Sequence, residues 1–185
     1  ALAQKLDLRP KAKPFLKWAG GKNQLLPEIL ARLPERFNRY FEPFIGGGAV
    51  LFALEPRRAF ISDINETLIN TYRCVKDRVG DVIEELGGFE ANEEMYYAVR
   101  ALDPQKLSPV EDAARFIYLN RTCFNGLYRV NRSGKFNVPF GRYKNPTICN
   151  TQRLLSVSEA LEGVDIRVRD VFSLGRDVRK GDLVY

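Results

Sequence analysis

The order of apolar and polar positions along the chain predicts an α/β fold. An apolar run ending at Phe44 and a second over Ala59–Ile61 predict strands, with a glycine turn at Gly46–Gly48 and an apolar helix between them. The second strand ends in the acid Asp63. Because strands joined through a helix run in the same direction, this order predicts a parallel sheet. A strand over Asp165–Asp170 and the apolar start of the closing GDLVY return to the same pattern.

Between these strands the pattern becomes helical, which predicts an inserted sub-domain. Helices are predicted over Glu66–Val79, Gly80–Leu86, Asn92–Leu102 and, after the insertion, Gln152–Leu161. Ser108, Pro109 and Glu111 mark one more helix start, because together they supply an N-cap, a first helical residue and a capping box. The predicted organisation is a tail over residues 1–14, a sheet domain over 15–65 and 151–185, and a sub-domain over 66–150.

Two short runs near the end of the insertion predict a β-hairpin. The run LYRV begins at Leu127 and the run KFNVP ends at Pro139, with the polar turn NRSG between them. Of the aromatic residues in this part of the chain, Phe116 and Phe136 are expected to fill the core of the sub-domain. We therefore expect a helical insertion from which a hairpin projects.

Composition narrows the chemistry that this fold can carry. The 185 residues are 45% hydrophobic and 28% charged, which is typical of a soluble globular protein. No apolar run is long enough for a membrane span or a signal peptide, so a cytoplasmic location is expected. The three cysteines lack paired spacing and there is no histidine, so neither a disulfide framework nor a metal site is expected. Carboxylates, amides, backbone groups or a cofactor must carry any reaction.

The charge is strongly uneven along the chain. From Ala113 to Ser158 there is no Asp or Glu, whereas this window contains Arg115, Arg121, Arg129, Arg132, Lys135, Arg142, Lys144 and Arg153. The whole chain has a net charge of +6, so the remainder is slightly acidic. Uncompensated cations of this density indicate a polyanionic partner, and Asn and Arg on a hairpin can contact base edges in a DNA groove. The simpler alternative is a solvated basic face.

The glycine turn at Gly46–Gly48 indicates a nucleoside-containing ligand. Glycine after a strand lets backbone N–H groups approach a ligand, and an acid at the end of the next strand, here Asp63, can bind ribose hydroxyls. A tight turn without a ligand is the alternative. A dinucleotide fingerprint is disfavoured because no third glycine follows, and a P-loop is rejected because Leu16 and Asn23 occupy two of its required positions.

Four segments resemble the Dam family of DNA adenine-N6 methyltransferases. They are FLKWAGGK from Phe15, EPFIGGG from Glu42, SDIN from Ser62 and YLNRTCFNGLYRVNRSGKFNVPFGRYKNP from Tyr118. The resemblance extends from Phe15 to the end of the chain. It implies an α/β fold with an incomplete Rossmann-like methyltransferase sheet, S-adenosyl-L-methionine as cofactor, and a target-recognition insertion carrying the hairpin.

The resemblance also implies the residues of two binding sites. The cofactor would contact Trp18, Lys22, Gly46, Asp63, Ile64, Asp170 and Val171. Double-stranded DNA would contact Arg121, Phe124, Asn125, Leu127, Arg129, Arg132, Pro139, Arg142, Tyr143 and Lys144. Family members with these motifs recognise GATC.

In that analogy Arg129 binds a guanine bidentately, while Leu127 and Tyr143 check the first base pair. Phe124 and Asn125 fill the stack beside the extruded adenine. Because Phe124 stands where some relatives have Tyr, a hydrogen bond from this position is not expected here.

The family's catalytic motif, Asp-Pro-Pro-Tyr, follows the strand that corresponds to GDLVY. Its Asp and a Pro carbonyl would accept the hydrogens of the adenine amine, and the methyl group would then move in line from the sulfonium. Since the sequence stops at Tyr185, the fragment as given is expected to be inactive. The protein is predicted to be a monomer that binds DNA and is associated with the nucleoid. Neither a metal ion nor a membrane is expected as a partner. A non-catalytic DNA-binding protein and an RNA-base methyltransferase are the alternatives.

Overall fold

A computed structural model describes residues 11–20 and 24–185. The helices are α1 (Leu26–Leu30), α2 (Ala49–Leu54), α3 (Glu66–Asp77), α4 (Val79–Gly87), α5 (Glu93–Ala101), α6 (Pro109–Thr122) and α7 (Thr151–Ala160). The strands are β1 (Tyr40–Glu42), β2 (Ala59–Asp63), β3 (Asp165–Val168) and β4 (Leu183–Val184). Short 3₁₀ turns cover Pro104–Lys106, Phe124–Gly126 and Val171–Arg176. Four predicted helices are confirmed to within two residues at each end: α3, α4 and α5 in the insertion, and α7 after it.

The strands form a parallel sheet in the order β3-β2-β1-β4, which confirms the predicted α/β class. Tyr40 pairs with Ala59 on one side of β1 and with Leu183 on the other. The chain leaves β1 two residues before the predicted end at Phe44. Pro43 follows β1 directly, and it has no N–H to donate to a neighbouring strand.

The two faces of the sheet differ in what covers them. Tyr40 belongs to the main hydrophobic core with the helices, and its side chain is fully buried. Phe41 points to the opposite face, since alternate residues of a strand face opposite ways. It stacks on Phe60 with ring centroids 4.8 Å apart, and the guanidinium of Arg39 lies 5.0 Å from the Phe41 ring.

Helix α6 forms the centre of the helical layer and contacts α3, α4 and α5. The predicted capping box is present: the Ser108 hydroxyl accepts from the N–H of Glu111, and the Glu111 carboxylate accepts from the N–H of Ser108. Ala113 and Ala114 are fully buried, so neighbouring helices can approach α6 closely. The predicted sub-domain and the sheet share one continuous hydrophobic core.

One positive charge of the basic window has a structural role instead of the expected outward one. Arg115 is buried on α6, where it donates hydrogen bonds to the carbonyl oxygens of Val99 and Arg100. Its guanidinium also lies 3.9 Å from the carboxylate of Asp112. Arg115 therefore stabilises the packing of α5 on α6, and it is not available to a partner.

The hairpin has the predicted antiparallel course, but its pairing is limited to isolated bridges. Val130 pairs with Phe136 and Cys123 with Phe140. The N–H of Asn137 donates to the Arg129 carbonyl at 3.0 Å, so the two arms are held together. Two continuous strands do not form, in agreement with Pro139, which lacks the N–H that a longer ladder would use.

The two aromatic residues expected in the core take different positions. Phe116 is buried, as predicted, whereas Phe136 is only half-buried and packs at the edge of the core. The Phe136 ring lies 5.9 Å from that of Tyr128.

Of the helices in the described part of the chain, none is long and apolar enough to span a bilayer.

Candidate functional site

A cleft of about 1300 Å³ opens at the carboxyl ends of β1 and β4. The chain leads from β1 to β2 and β3 on one side, whereas β4 lies on the other side. The strand order therefore reverses between β1 and β4, and ligands of open α/β sheets bind at such reversal points. The cleft is lined by residues of FLKWAGGK and EPFIGGG, here called the two glycine segments, and by residues of α2. Four further residues also line it: Arg121, Asn125, Arg153 and Tyr185.

The turn at Gly46 has no room for a side chain. Gly46 has φ +47°, and a Cβ there would lie 2.7 Å from Cδ1 of Trp18. The Tyr72 hydroxyl on α3 donates a hydrogen bond to the Gly46 carbonyl at 2.9 Å, and this bond holds the turn in place. Trp18 in turn stacks on Tyr128, with ring centroids 5.8 Å apart and an interplanar angle of 18°. The two predicted cofactor residues Trp18 and Gly46 are thus in direct contact on the cleft wall.

Glu42 is a buried acid of the cleft that the sequence interpretation did not select. Its residue is only 4% exposed, and its carboxylate accepts a hydrogen bond from the Tyr40 hydroxyl at 2.7 Å. Burial raises the pKa of Glu42 to about 7, although the hydrogen bond from Tyr40 acts in the opposite direction. The signal in the sequence is an acid directly after the aromatic pair Tyr40–Phe41, in a strand that is otherwise apolar.

Four further predicted cofactor residues lie at the carboxyl ends of β2 and β3. Asp63 is half-buried and its Oδ1 accepts the N–H of Asn65 at 3.0 Å, while Ile64 is 69% exposed. Asp170 accepts the N–H of Phe172 at 2.8 Å and so caps the turn that contains Val171. These four side chains share the cleft's edge of the sheet, but none is part of its lining. Lys22 lies outside the described residues.

Phe124 and Asn125, the predicted stacking residues, lie in the short 3₁₀ turn just after α6. Phe124 is 49% exposed, and Asn125 is exposed with a left-handed φ of +54°. Asn125 lines the cleft, so the segment after α6 and the glycine turns share one cavity. The Asn120 side chain joins the two parts, because its Oδ1 accepts from Lys17 N at 2.8 Å and its amide donates to Lys17 O at 2.6 Å.

The predicted base-contacting residues lie on the hairpin and, in the case of Tyr143, just after it. Arg129 is exposed, and its guanidinium donates to the Asn137 side-chain oxygen at 2.8 Å and to the Asn137 carbonyl at 3.2 Å. Leu127 and Tyr143 are half-buried, and the Lys17 ammonium lies 4.3 Å from the centre of the Tyr143 ring. Pro139 is exposed on the second arm.

The remaining predicted DNA contacts are basic side chains with different surroundings. Arg132 and Lys144 are exposed, and Arg142 is exposed with its guanidinium 3.7 Å from the Glu93 carboxylate. Arg121 is half-buried, and its Nε donates to the Thr147 carbonyl at 2.9 Å. Burial lowers the pKa of Arg121, and the positive charge of Arg153 lowers it further. Arg121 therefore lies in the cleft wall, apart from the hairpin tip.

Residues 18–185 match the family described as D12 class N6 adenine-specific DNA methyltransferase. The chain belongs to this family. It is similar to the Type II methyltransferase M1.LlaDCHI of Lactococcus lactis subsp. cremoris, with 46% identity over 98% of this chain and 65% of the relative. It is also similar to the Type II methyltransferase M.MjaIII of Methanocaldococcus jannaschii, with 44% identity over 95% of this chain and 68% of the relative.

A third relative is the DNA adenine methylase of Escherichia coli, with 44% identity over 74% of this chain and 50% of that protein. The chain thus spans between half and about two thirds of the length of these relatives. The parallel sheet is consistent with part of a Rossmann-like methyltransferase fold. The described residues hold no group of three or more His, Cys, Asp or Glu side chains that could bind a metal ion.

Proposed function

We propose that this protein transfers a methyl group from S-adenosyl-L-methionine to N6 of adenine in duplex DNA, within the sequence GATC. The observation that supports this most strongly is the shared cleft. Trp18 and Gly46 of the glycine segments and Asn125 of the recognition segment line the same cavity at the reversal point of the sheet. A methyl donor and a flipped base must meet in one place, and this cavity is large enough for both.

The chain's own residues suit a cationic nucleoside cofactor. Because Gly46 has no side chain, its backbone can approach a ligand in the cleft, and a Cβ at this position would collide with Trp18. Glu42 presents a buried carboxyl group to a ligand whose ammonium and sulfonium groups are positively charged. Asp63 would bind the ribose hydroxyls, Ile64 would pack on the adenine ring, and Asp170 with Val171 would border its other face. The cofactor supplies the activated methyl group.

Residues 66–150 would act as the target-recognition sub-domain. Arg129 on the hairpin would bind a guanine bidentately, and Leu127 with Tyr143 would check the first base pair. Phe124 and Asn125 would fill the gap left by the flipped adenine, because both are exposed beside the cleft. The basic residues Arg132, Arg142 and Lys144 would contact phosphates and fix the register of the duplex.

The adenine amine needs acceptors for its hydrogens, since its lone pair is delocalised into the ring. In the family the motif Asp-Pro-Pro-Tyr follows the strand that corresponds to β4. A segment that follows β4 would enter the cleft at its reversal point, where Tyr185 lies. The described residues would thus bind the cofactor, read the target and receive the flipped base, while this motif orients the amine.

Methyl transfer tests the proposed function. The full-length protein is incubated with methyl-labelled cofactor and a GATC duplex. We expect label in the duplex as N6-methyladenine, and none in a duplex of the same composition in which GATC is scrambled. Binding to GATC without transfer would support a non-catalytic DNA-binding protein instead. Transfer to single-stranded RNA but not to the duplex would support the RNA enzyme.

A further inference from the structure

Three basic residues of the window Ala113–Ser158 are not among the predicted DNA contacts: Arg115, Lys135 and Arg153. Arg115 is buried and Lys135 lies on the hairpin, which leaves Arg153. It lies in the first turn of α7, after the hairpin, and its side chain is half-buried. Arg153 and Arg121 both line the large cleft and a small neighbouring cavity. Two arginines that are 32 positions apart in the sequence therefore line the same wall.

We propose that Arg121 and Arg153 form a binding site for a DNA phosphodiester, which holds the backbone of the strand whose adenine enters the cleft. This inference rests on the proposed function. It adds Arg153, on α7 of the sheet domain, to the predicted DNA contacts, and it pairs Arg121 of α6 with a residue outside the hairpin.

The charges around the pair favour an anion. Among the described residues, no carboxylate forms an ion pair with Arg121 or Arg153, whereas Arg115 approaches Asp112 and Arg142 approaches Glu93. The two cations lie close enough that the charge of Arg153 lowers the pKa of Arg121. Like charges in a half-buried wall repel each other, and a bound anion would remove this repulsion.

The backbone around the pair is well fixed. Helix α7 is anchored by the buried side chains of Leu154 and Val157, and the Asn150 side chain caps it by accepting the N–H of Arg153 at 2.9 Å. The hydrogen bond from Arg121 Nε to Thr147 O orients the other guanidinium. An oriented guanidinium loses less conformational entropy when it binds a phosphate, and Arg is well suited to bidentate phosphate contacts.

The position along the cleft favours a phosphodiester. Asn125, at the expected gap in the base stack, lines the same cavity as the two arginines. A nucleotide that rotates out of the stack carries its flanking phosphates toward the pocket that receives the base. The carboxylate of the cofactor is the other anion that could enter the cleft, and the two sources give different results below.

The experiment measures binding of a fluorescent GATC duplex over a range of salt concentrations, together with cofactor binding by calorimetry. The full-length protein is used. For Arg153→Ala and Arg121→Ala we expect about tenfold weaker duplex binding and a salt slope reduced by about one. The loss should be equal for GATC and scrambled duplexes, and cofactor affinity should stay unchanged. Arg153→Lys should keep the salt slope, because it keeps the charge.

Arg78→Ala is the matched control. Arg78 is an exposed arginine at the end of α3, where it pairs with Asp81 at 2.7 Å, and it does not line the cleft. An unchanged salt slope for Arg153→Ala, in a wild-type protein that binds DNA, would overturn the inference and leave the proposed function intact. A loss confined to cofactor binding would assign the pair to the cofactor carboxylate and also overturn it. A wild-type protein that binds no DNA would overturn the proposed function itself.

Discussion

At the scale of single residues, Glu42 shows how burial can dominate a local hydrogen bond. The Tyr40 hydroxyl donates to the carboxylate and favours its charged form. Removing the carboxylate from water costs more than this bond returns, so the pKa of Glu42 is raised to about 7. Near neutral pH the group is therefore ready to take up or release a proton when a charged ligand enters the cleft.

Glu42→Gln should remove one component of the pH dependence of stability. The folded pKa of about 7 lies above the ordinary value of 4.5, so ionisation destabilises the folded protein as pH rises from 4.5 through 7. The full shift corresponds to about 3 kcal/mol. We expect the free energy of unfolding in urea to fall less between pH 5 and pH 8 in Glu42→Gln than in the wild type.

Glu28→Gln is the control for this comparison, since Glu28 is an exposed acid on α1 whose carboxylate pairs with Arg32 at 2.6 Å. This variant should retain the wild-type pH dependence. Parallel curves for Glu42→Gln and the wild type would show that Glu42 ionises normally in the folded protein.

Single residues also show where sequence interpretation stops. Asp63 could be predicted as a strand-terminal acid because it follows an apolar run, and it does end β2. Arg115 looked like one more outward cation, because sequence does not reveal that the carbonyls of Val99 and Arg100 lie within reach of its side chain. Glu42 was missed because its burial depends on β2 and β4, which flank β1 in the sheet and come from later parts of the chain.

At the scale of elements, the two arms of the hairpin are joined at Arg129. Asn137 on the opposite arm binds the Arg129 guanidinium through its side-chain oxygen and its carbonyl. The backbone bond from Asn137 N to Arg129 O ties the same two residues together. A side chain held in this way can discriminate between base edges, because few of its other conformations remain available.

Arg129→Ala should reduce discrimination at one G·C pair of the target. We expect the preference for GATC over a duplex with that pair replaced to fall by about 1–3 kcal/mol, with other single-pair changes discriminated as before. Competition binding with a set of singly altered duplexes measures this. Arg132→Ala, at the exposed turn of the same hairpin, should instead weaken binding to every duplex alike. A uniform loss in Arg129→Ala would make Arg129 a phosphate contact.

A helix or strand could be predicted from the sequence where its signal lies within a few consecutive residues. The helix start at Ser108 was predictable because its capping box lies within four consecutive residues. The hairpin was predicted in course but not in pairing, because bridges such as Cys123 with Phe140 depend on residues that are far apart in sequence. The order of the strands is likewise a property of distant contacts, and it appeared only in the structure.

At the scale of the whole molecule, the position of the cleft follows from the topology. The reversal of strand order between β1 and β4 opens a crevice, and the inserted helices bring Asn125 and Arg121 to its wall. The sequence indicated the two binding regions separately. That they share one cavity could not be predicted, because it depends on contacts such as those between Asn120 and Lys17, which are distant in sequence.

Calorimetric titration of S-adenosyl-L-methionine into the full-length protein measures whether the cleft at Gly46 binds this cofactor as proposed. We expect the wild type to bind one cofactor per chain. Gly46→Ala should bind at least about tenfold more weakly, since its Cβ would displace Trp18 and its φ of +47° disfavours a side chain. Gly80→Ala, where a Cβ on α4 meets no atom within 4 Å, should bind like the wild type. No binding by the wild type, or equal affinity of the wild type and Gly46→Ala, would contradict the claim.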